Sequence, residues 1–203
     1  MERLSNYLNQ LARWDGAALE LVHGIHWGPL TVVFVIASAW WVKWPLFAVA
    51  GGCCDAFKRR LPTAALAVSL AAGIAEGLTA LLKQITERAR PPLADPSIEA
   101  LVSVPESTSF PSGHAASAFA AATVVGVLYP RLRAPLIALA VMVALSRVYL
   151  GVHFWSDIFV GSLLGVAIGL ATARFFQRDP AEPSGHEPVA PGVRFPRLRR
   201  SPG

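Results

Sequence analysis

The chain has 203 residues, of which 54% are hydrophobic and 15% are charged, and its mean hydropathy is +0.47. Soluble domains carry about 25% charged residues, so this composition excludes an ordinary soluble fold and is typical of an integral membrane protein. The net charge of +5 is spread over loops and the C-terminal end without a basic face interleaved with aromatic residues, which argues against nucleic-acid binding.

The first 26 residues are predicted to form an N-terminal interfacial segment. Leu4, Leu8, Leu11 and Trp14 recur at helical spacing, and such spacing favours a helix that lies in the plane of the membrane interface. The segment lacks the basic and then apolar pattern of a cleavable signal peptide. Membrane insertion is therefore expected to depend on the first spanning helix.

Five apolar stretches follow, and they predict an all-α, polytopic transmembrane helix bundle of about five spans over residues 27–178. The first contains Lys43 and Pro45 near its middle, where the proline is expected to kink the helix. Splitting this stretch would leave two spans that are both too short. The stretches are approximately Pro29 to Cys54, Leu61 to Leu82, His114 to Tyr129, Ala134 to Val152 and Ile158 to Phe176.

The basic connections predict the orientation of the bundle. The connections after the first, third and fifth stretches read FKRR, PRLRA and ARFFQR, and short loops rich in Lys and Arg tend to stay in the cytoplasm. The 83–113 connection and the 152–157 corner are then expected on the extracytoplasmic face of the cell membrane. Residues 179–203 contain six prolines and are predicted to be a disordered, basic cytoplasmic tail.

Three polar clusters are expected to meet at that extracytoplasmic face: KQITERARPP, FPSGHAAS and SRVYLGVHFWSD. Lys83 and Arg90 are seven residues apart, which predicts that they share one face of a helix that ends at the following prolines. His153 and Asp157 are four residues apart, so the carboxylate can accept a hydrogen bond from the imidazole. The other ring nitrogen is then available as a metal ligand, a base or a nucleophile.

The remaining polar groups favour an oxyanion site. The cations Lys83, Arg90 and Arg147, together with Ser112 and the amides around Gly113, suit a tetrahedral anion such as phosphate. Each cluster alone also fits a structural role, for example as interfacial anchors or as a helix-surface pair. Their convergence favours function, because ionisable groups within a membrane are costly and usually functional.

The three clusters together resemble the motifs of the type 2 phosphatidic acid phosphatase superfamily in residue type, order and spacing, across residues 83–157. The resemblance implies that His153 attacks phosphorus to form a phosphohistidine, that Asp157 orients His153, and that His114 protonates the leaving oxygen. It also implies a set of residues that hold the phosphoryl oxygens: Lys83, Arg90, Ser112, Gly113 and Arg147. We expect neither a metal nor another cofactor, because fixed cations can stabilise the phosphoryl group.

The expected activity is hydrolysis of a lipid phosphomonoester or a lipid diphosphate. Polyprenyl diphosphate is the first substrate to consider, with phosphatidic acid and phosphatidylglycerol phosphate as close alternatives, because nothing in the residues selects among them. A lipid phosphotransferase would carry the same motifs, and a noncatalytic lipid-binding or transport protein is a further alternative. The expected partners are the lipid substrate and membrane lipids, and the oligomeric state stays open.

Glu76 adds one further hypothesis. It lies seven residues before Lys83, so the two side chains are predicted to share a helix face two turns apart. Glu76 is expected either to pair with a buried cation or to be a protonated or snorkelling glutamate without a catalytic part.

Overall fold

The computed structural model describes residues 14–22, 24–39, 47, 49, 52, 53, 56 and 63–177. Within these residues the chain forms helices and no strands, which confirms the all-α prediction. The helices are α1 (Gly28–Ser38), α2 (Thr63–Thr86), α3 (Pro91–Ala94), α4 (Gly113–Leu128), α5 (Arg133–Tyr149) and α6 (Trp155–Gln177), with a 3₁₀ turn at Pro130–Leu132. Residues 14–22 are also helical.

Three mainly helical stretches of the described residues are long and apolar enough to cross a membrane, and the first of them joins α2 to α3: Thr63–Ala94, Pro130–Tyr149 and Trp155–Gln177. The helices α1 and α4 are apolar but have only 11 and 16 residues. The chain is thus a multi-pass membrane protein, and the predicted count of five spans is approximate. A 16-residue helix is about 24 Å long, somewhat shorter than a hydrocarbon core of about 30 Å.

The first predicted stretch is not one continuous helix. Helix α1 ends at Ser38, and Ala39 has extended backbone angles of φ −62° and ψ 127°. Lys43 and Pro45, which the sequence places at a kink, lie outside the described residues, as do Leu4, Leu8, Leu11 and the tail 179–203.

Helix α4 is the centre of the bundle. Most of its side chains are buried, and it packs against α2, α5 and α6. Its residues are small and apolar on all sides, the pattern expected of a helix without a solvent-facing side. Because α4 contains many alanines, neighbouring helices can approach its backbone closely.

Helix α6 makes the closest approach to α4 through three glycines. A Cβ atom on Gly161 would lie 2.5 Å from the carbonyl oxygen of Ser112, and one on Gly169 would lie 2.7 Å from that of Ala120. A Cβ on Gly165, midway between them, would also overlap the α4 backbone. The contacts advance in the same direction along both helices, so α4 and α6 run parallel and the N-terminus of α4 lies beside the first turns of α6.

The N-terminal helical segment 14–22 packs onto the same end of the bundle. Leu19 is fully buried, whereas Trp14 is 76% exposed. The residues of the cluster around Leu19 come from the 95–110 loop and from α4, α5 and the start of α6: Ile98, Ala115, Ala144, Val148, Phe154 and Ile158. Leu19 and the partly buried Val22 attach the segment to the bundle, while Trp14 and Leu21 are exposed.

Candidate active site

Backbone hydrogen bonds bring the three polar clusters together at one end of the bundle. The amide of Ser109 donates to the carbonyl of Arg88 at 2.8 Å, and the amide of Ser112 donates to the carbonyl of Asp157 at 3.0 Å. The first bond joins the end of α2 to the loop before α4, and the second joins that loop to α6. The 83–92, 110–117 and 146–157 clusters thus share one site.

The corner between α5 and α6 turns His153 back over the end of α5. Gly151 has a left-handed φ of 73°, a conformation that glycine adopts without steric cost. The amide of Val152 donates to Arg147 O at 3.1 Å and that of Gly151 to Val148 O at 2.9 Å, which is the hydrogen-bond pattern of a Schellman helix end. The amide of His153 also reaches Arg147 O, at 3.3 Å.

Both ring nitrogens of His153 have a partner, and the two partners define its tautomer. Nδ1 lies 3.3 Å from Asp157 Oδ2, and Nε2 lies 3.3 Å from Arg90 Nη1. A carboxylate only accepts hydrogen bonds and a guanidinium only donates them. The imidazole is therefore neutral, with the proton on Nδ1 and a lone pair on Nε2.

Burial, like this hydrogen bonding, favours the neutral form of His153. The side chain is only 2% exposed. Burial disfavours the charged imidazolium, and the neighbouring Arg90 adds to this effect, while Asp157 opposes it; the pKa of His153 is lowered to about 4. The ring is consequently unprotonated at neutral pH and can act as a nucleophile.

Asp157 is fully buried in the first turn of α6. Its Oδ2 accepts the amide of Phe154 at 2.9 Å, as an acidic residue three positions after an N-cap does, and also accepts the hydroxyl of Ser109. Helix α6 begins at Trp155, so His153 precedes the helix. His153 and Asp157 are therefore in contact as predicted, but not on one helix face. The contact is made between a residue that precedes α6 and a residue in its first turn.

Lys83 and Arg90 line the same cavity but lie on different secondary-structure elements. Helix α2 ends at Thr86, and Glu87 has a left-handed φ of 46°. Arg90 therefore lies on an extended segment and not on the helix that carries Lys83, which corrects the prediction of one shared helix face. The following Pro91 does not end α2 but starts the short helix α3.

Loop carbonyls fix the direction of both cations. Lys83 Nζ donates to Thr108 O at 2.6 Å, and Arg90 Nε donates to Ser107 O at 2.7 Å. Arg90 Nη1 also donates to Val152 O at 2.8 Å. These bonds leave part of each cation directed at the cavity.

Arg147 differs from the other two cations in its hydrogen bonding. The residue is 6% exposed, and its Nε has no hydrogen-bond partner among the described residues. A buried donor nitrogen without a partner is costly, and the side chain of Arg147 lines the cavity. Its donors are available to an anion there.

The cavity has a volume of about 240 Å³. Six of the predicted site residues line it, and they include both histidines. Ser112 and Asp157 do not line it, because both are fully buried. The lining residues are Glu76, Thr79, Ala80, Lys83, Arg90, Pro105, Ser107, Gly113, His114, Arg147 and His153.

The N-terminus of α4 forms one wall of the cavity. Ser112 is its N-cap, and the Ser112 Oγ accepts the amide of Ala115 at 3.5 Å. A Cβ on Gly113 would lie 2.9 Å from Glu76 Oε2, so a side chain at this position would displace the end of the Glu76 side chain. Glu76 faces the cavity that also contains Lys83, and His114 stands half-buried in the first turn of α4.

Sequence reasoning missed three contributors to the site. Ser109 donates to Asp157, Arg88 forms an ion pair with Asp157 at 2.7 Å, and Asp15 forms one with Arg88 at 2.8 Å. The available signal for Arg88 is its place in the RAR triplet of the first polar cluster, two residues before Arg90. No local pattern marks Asp15, since the N-terminal segment also contains the acids Glu2 and Glu20.

The family model of the PAP2 superfamily matches residues 64–181, and the chain belongs to this family. Two solved structures are similar in fold. A transmembrane PAP2 type phosphatidylglycerolphosphate phosphatase from Bacillus subtilis has a TM-score of 0.66 and 26% identity, covering 82% of this chain and 86% of that one. Aquifex aeolicus LpxE has a TM-score of 0.65 and 27% identity, covering 78% and 93%.

Particular relatives by sequence are also phosphatases. The decaprenylphosphoryl-5-phosphoribose phosphatase of Mycobacterium tuberculosis is 39% identical over 104 residues, which cover 51% of this chain and 56% of that protein. The protein of the same name from Mycolicibacterium smegmatis is 37% identical over 122 residues, covering 58% and 62%. A lipid A 1-phosphatase of Rhizobium johnstonii is 39% identical over 70 residues, covering 34% and 29%. The matches thus span less than two thirds of these relatives.

Proposed function

We propose that this chain hydrolyses a phosphomonoester or diphosphate bond of a membrane lipid through a phosphohistidine on His153. One observation carries the proposal. His153 presents an unprotonated Nε2 beside Arg90 while its Nδ1 faces Asp157, at the wall of a cavity that also holds Lys83 and Arg147. This is a nucleophile next to a site for an anion.

In the first step, Nε2 of His153 attacks phosphorus and forms the P–N bond while the bond to the leaving oxygen breaks. Lys83, Arg90 and Arg147 stabilise the charge on the phosphoryl oxygens, together with the amide of Gly113 at the N-terminus of α4. The amide of Ser112 is already bonded to Asp157 O, so Ser112 contributes as the N-cap of α4. His114 donates a proton to the leaving oxygen as a general acid. The proton on Nδ1 of His153 stays on the nitrogen, and Asp157 stabilises the positive charge that the ring acquires.

In the second step, water attacks the phosphohistidine. His114, now neutral, accepts a proton from this water, and the P–N bond breaks to release inorganic phosphate. The imidazole of His153 returns to its neutral form with Nε2 free. If a lipid hydroxyl took the place of water, the same step would be a phosphotransfer, so the products distinguish the two activities.

The reaction is proposed to need no metal ion. Three fixed side-chain cations occupy the cavity wall, and charge on the equatorial oxygens is what a metal ion neutralises in other phosphoryl transfer enzymes. The chelator EDTA is expected to leave the rate unchanged.

The proposed substrates are lipids with a terminal phosphate or diphosphate, and the proposed location is the cell membrane with the site on its extracytoplasmic face. Relatives named for decaprenylphosphoryl-5-phosphoribose, lipid A and phosphatidylglycerolphosphate support a lipid phosphate. They favour testing a polyprenyl-linked sugar phosphate beside the polyprenyl diphosphate and phosphatidic acid that the sequence indicates.

The test is release of inorganic phosphate by purified protein in detergent, with these three lipids as a panel. We expect turnover of at least one lipid, its loss in His153→Gln, and a rapid-quench adduct on His153. His186→Gln, outside the described residues, is the matched control and should keep full activity. Equal background rates for wild type and His153→Gln on every lipid would favour the noncatalytic lipid-binding or transport function.

A further inference from the structure

Arg88 connects the proposed catalytic aspartate to the N-terminal helical segment. Arg88 Nη1 donates to Asp157 Oδ1 at 2.7 Å, and Nη2 donates to Asp15 Oδ2 at 2.8 Å. Its Cζ lies 4.2 Å from the centre of the Phe154 ring, a cation–π distance. The side chain is 24% exposed, and it is directed into the protein and not toward the membrane surface as an anchor would be.

The bond from Arg88 completes the hydrogen bonding of Asp157. Three donors, namely Ser109 Oγ, the amide of Phe154 and Nδ1 of His153, all use Oδ2. Arg88 is the one described residue that bonds Oδ1. With both oxygens held, rotation of the carboxylate about its side-chain bonds is restricted, and Oδ2 stays directed at His153.

Asp15 in turn fixes Arg88. Asp15 Oδ1 accepts the amide of Ser156 at 3.0 Å, and its Oδ2 accepts the hydroxyl of Ser156 as well as Arg88 Nη2. The side chain of Asp15 is only 8% exposed, and the buried Leu19 one turn further on attaches the segment to the bundle. The carboxylate of Asp15 therefore belongs to the interior of the site's end of the protein.

We propose that Arg88, held by Asp15, is a positioning residue that acts through Asp157 to orient His153 for attack on phosphorus. This inference rests on the proposed function. It makes the N-terminal segment part of the apparatus for phosphoryl transfer, although Asp15 and Arg88 do not line the cavity. A positioning residue affects the chemical step and leaves phosphate binding by Lys83, Arg90 and Arg147 intact.

The first experiment compares Arg88→Gln and Arg88→Lys with wild type. The readouts are kcat on the lipid that wild type hydrolyses, the inhibition constant of inorganic phosphate, and the thermal unfolding midpoint in detergent. For Arg88→Gln we expect kcat to fall about 10- to 100-fold, the range for loss of a hydrogen bond to a charged group, with the inhibition constant within about twofold of wild type. Arg88→Lys keeps the charge but has a single nitrogen in place of the two that bond Asp157 and Asp15, and it should recover part of this loss.

The second experiment tests the contribution of Asp15 separately. Asp15→Asn keeps an acceptor for the Ser156 amide but removes the charge that holds Arg88, so kcat should fall by several fold. In the Arg88→Gln background the same substitution should have no further effect on kcat, because the charge of Asp15 acts through Arg88 and asparagine keeps the acceptor for the Ser156 amide. Glu20→Gln removes a charge from an exposed position of the same segment and should behave as wild type.

Three results would overturn the inference while leaving the proposed function in place. The first is an unchanged kcat in both Arg88→Gln and Asp15→Asn. The second is that the two substitutions have independent effects on kcat in the double variant. The third is a parallel loss of kcat, phosphate affinity and unfolding midpoint, because such a loss would indicate a structural role alone. If Arg88→Gln does not fold, kcat, the inhibition constant of phosphate and the unfolding midpoint are compared between Asp15→Asn and wild type. A wild-type chain without hydrolysis of any lipid in the panel would instead overturn the proposed function, and this inference with it.

Discussion

His153 is neutral because of its surroundings, and this has a consequence that does not depend on any substrate. In the unfolded chain the imidazole has an ordinary pKa of about 6.5, whereas burial lowers its pKa in the folded protein to about 4. Between these two values the unfolded state binds a proton that the folded state does not. The free energy of unfolding therefore decreases as the pH falls through this window.

We predict that lowering the pH from 6.5 toward 4 destabilises wild type more than His153→Gln. The contribution of His153 is at most about 1.4 kcal/mol for each pH unit within the window, and glutamine cannot take up the proton. The measurement is the thermal unfolding midpoint in detergent at pH 7.5, 6 and 5 for both proteins. Parallel curves would show that His153 does not resist protonation in the folded state.

The residues that sequence patterns could identify at this scale are those whose spacing carries the chemistry. The four-residue spacing of His153 and Asp157 predicted their contact, although the contact is made between a residue ahead of α6 and the first turn of that helix. Asp15 and Ser109 could not be found in this way, because their partner groups on Arg88 and Asp157 lie between 48 and 73 positions away in the chain. Such contacts depend on how the helices pack, and the local spacing of residues carries no information about that packing.

At the scale of the helices, tertiary contacts override helix propensity at the end of α2. The residues after Thr86 are good helix formers, and only the residue before Pro91 is disfavoured in a helix. The helix nevertheless ends at Thr86, whose hydroxyl donates to Phe110 O at 2.8 Å, while Arg88 O accepts the amide of Ser109. The loop before α4 thus provides hydrogen bonds that replace those of a further helical turn.

The parallel contact of α4 and α6 gives a prediction at this scale. We expect Gly165→Ala to lower the thermal unfolding midpoint and the activity, because the new Cβ would overlap the backbone of α4 at Ala116, and overpacking of this kind costs about 1–3 kcal/mol. Gly77→Ala on α2 is the matched control, since a Cβ there has no neighbour within 4 Å. Equal midpoints for the two variants would contradict the close approach.

For the whole molecule, the apolar composition predicted a multi-pass helical membrane protein, and the described helices confirm this. The number of spans was less predictable because hydropathy measures the length of an apolar stretch and not where its helix ends. Helix α1 ends at Ser38 within such a stretch, and α4 is buried by its neighbours over a length shorter than the hydrocarbon core. Burial within a bundle and burial in lipid select the same residue types.

The charges at the two ends of α4 support the proposed orientation of the site. The short connection from α4 to α5 contains Arg131 and Arg133 and no acid, the composition expected on the cytoplasmic side. At the other end, the exposed loop around Glu106 adjoins the cavity through Ser107. The two ends of α4 should therefore face opposite compartments, with the phosphate-binding cavity outside.

We predict that, in a chain with Cys53 and Cys54 replaced by serine, Glu106→Cys reacts with an impermeant maleimide in intact cells. Arg131→Cys should react only after the membrane is opened, because its exposed side chain lies beyond the far end of a helix about 24 Å long. The two variants control for each other, since both positions are exposed and differ only in the end of α4 that they mark. The reverse labelling pattern would place the cavity in the cytoplasm, and labelling of both in intact cells would mean that α4 does not separate the two compartments.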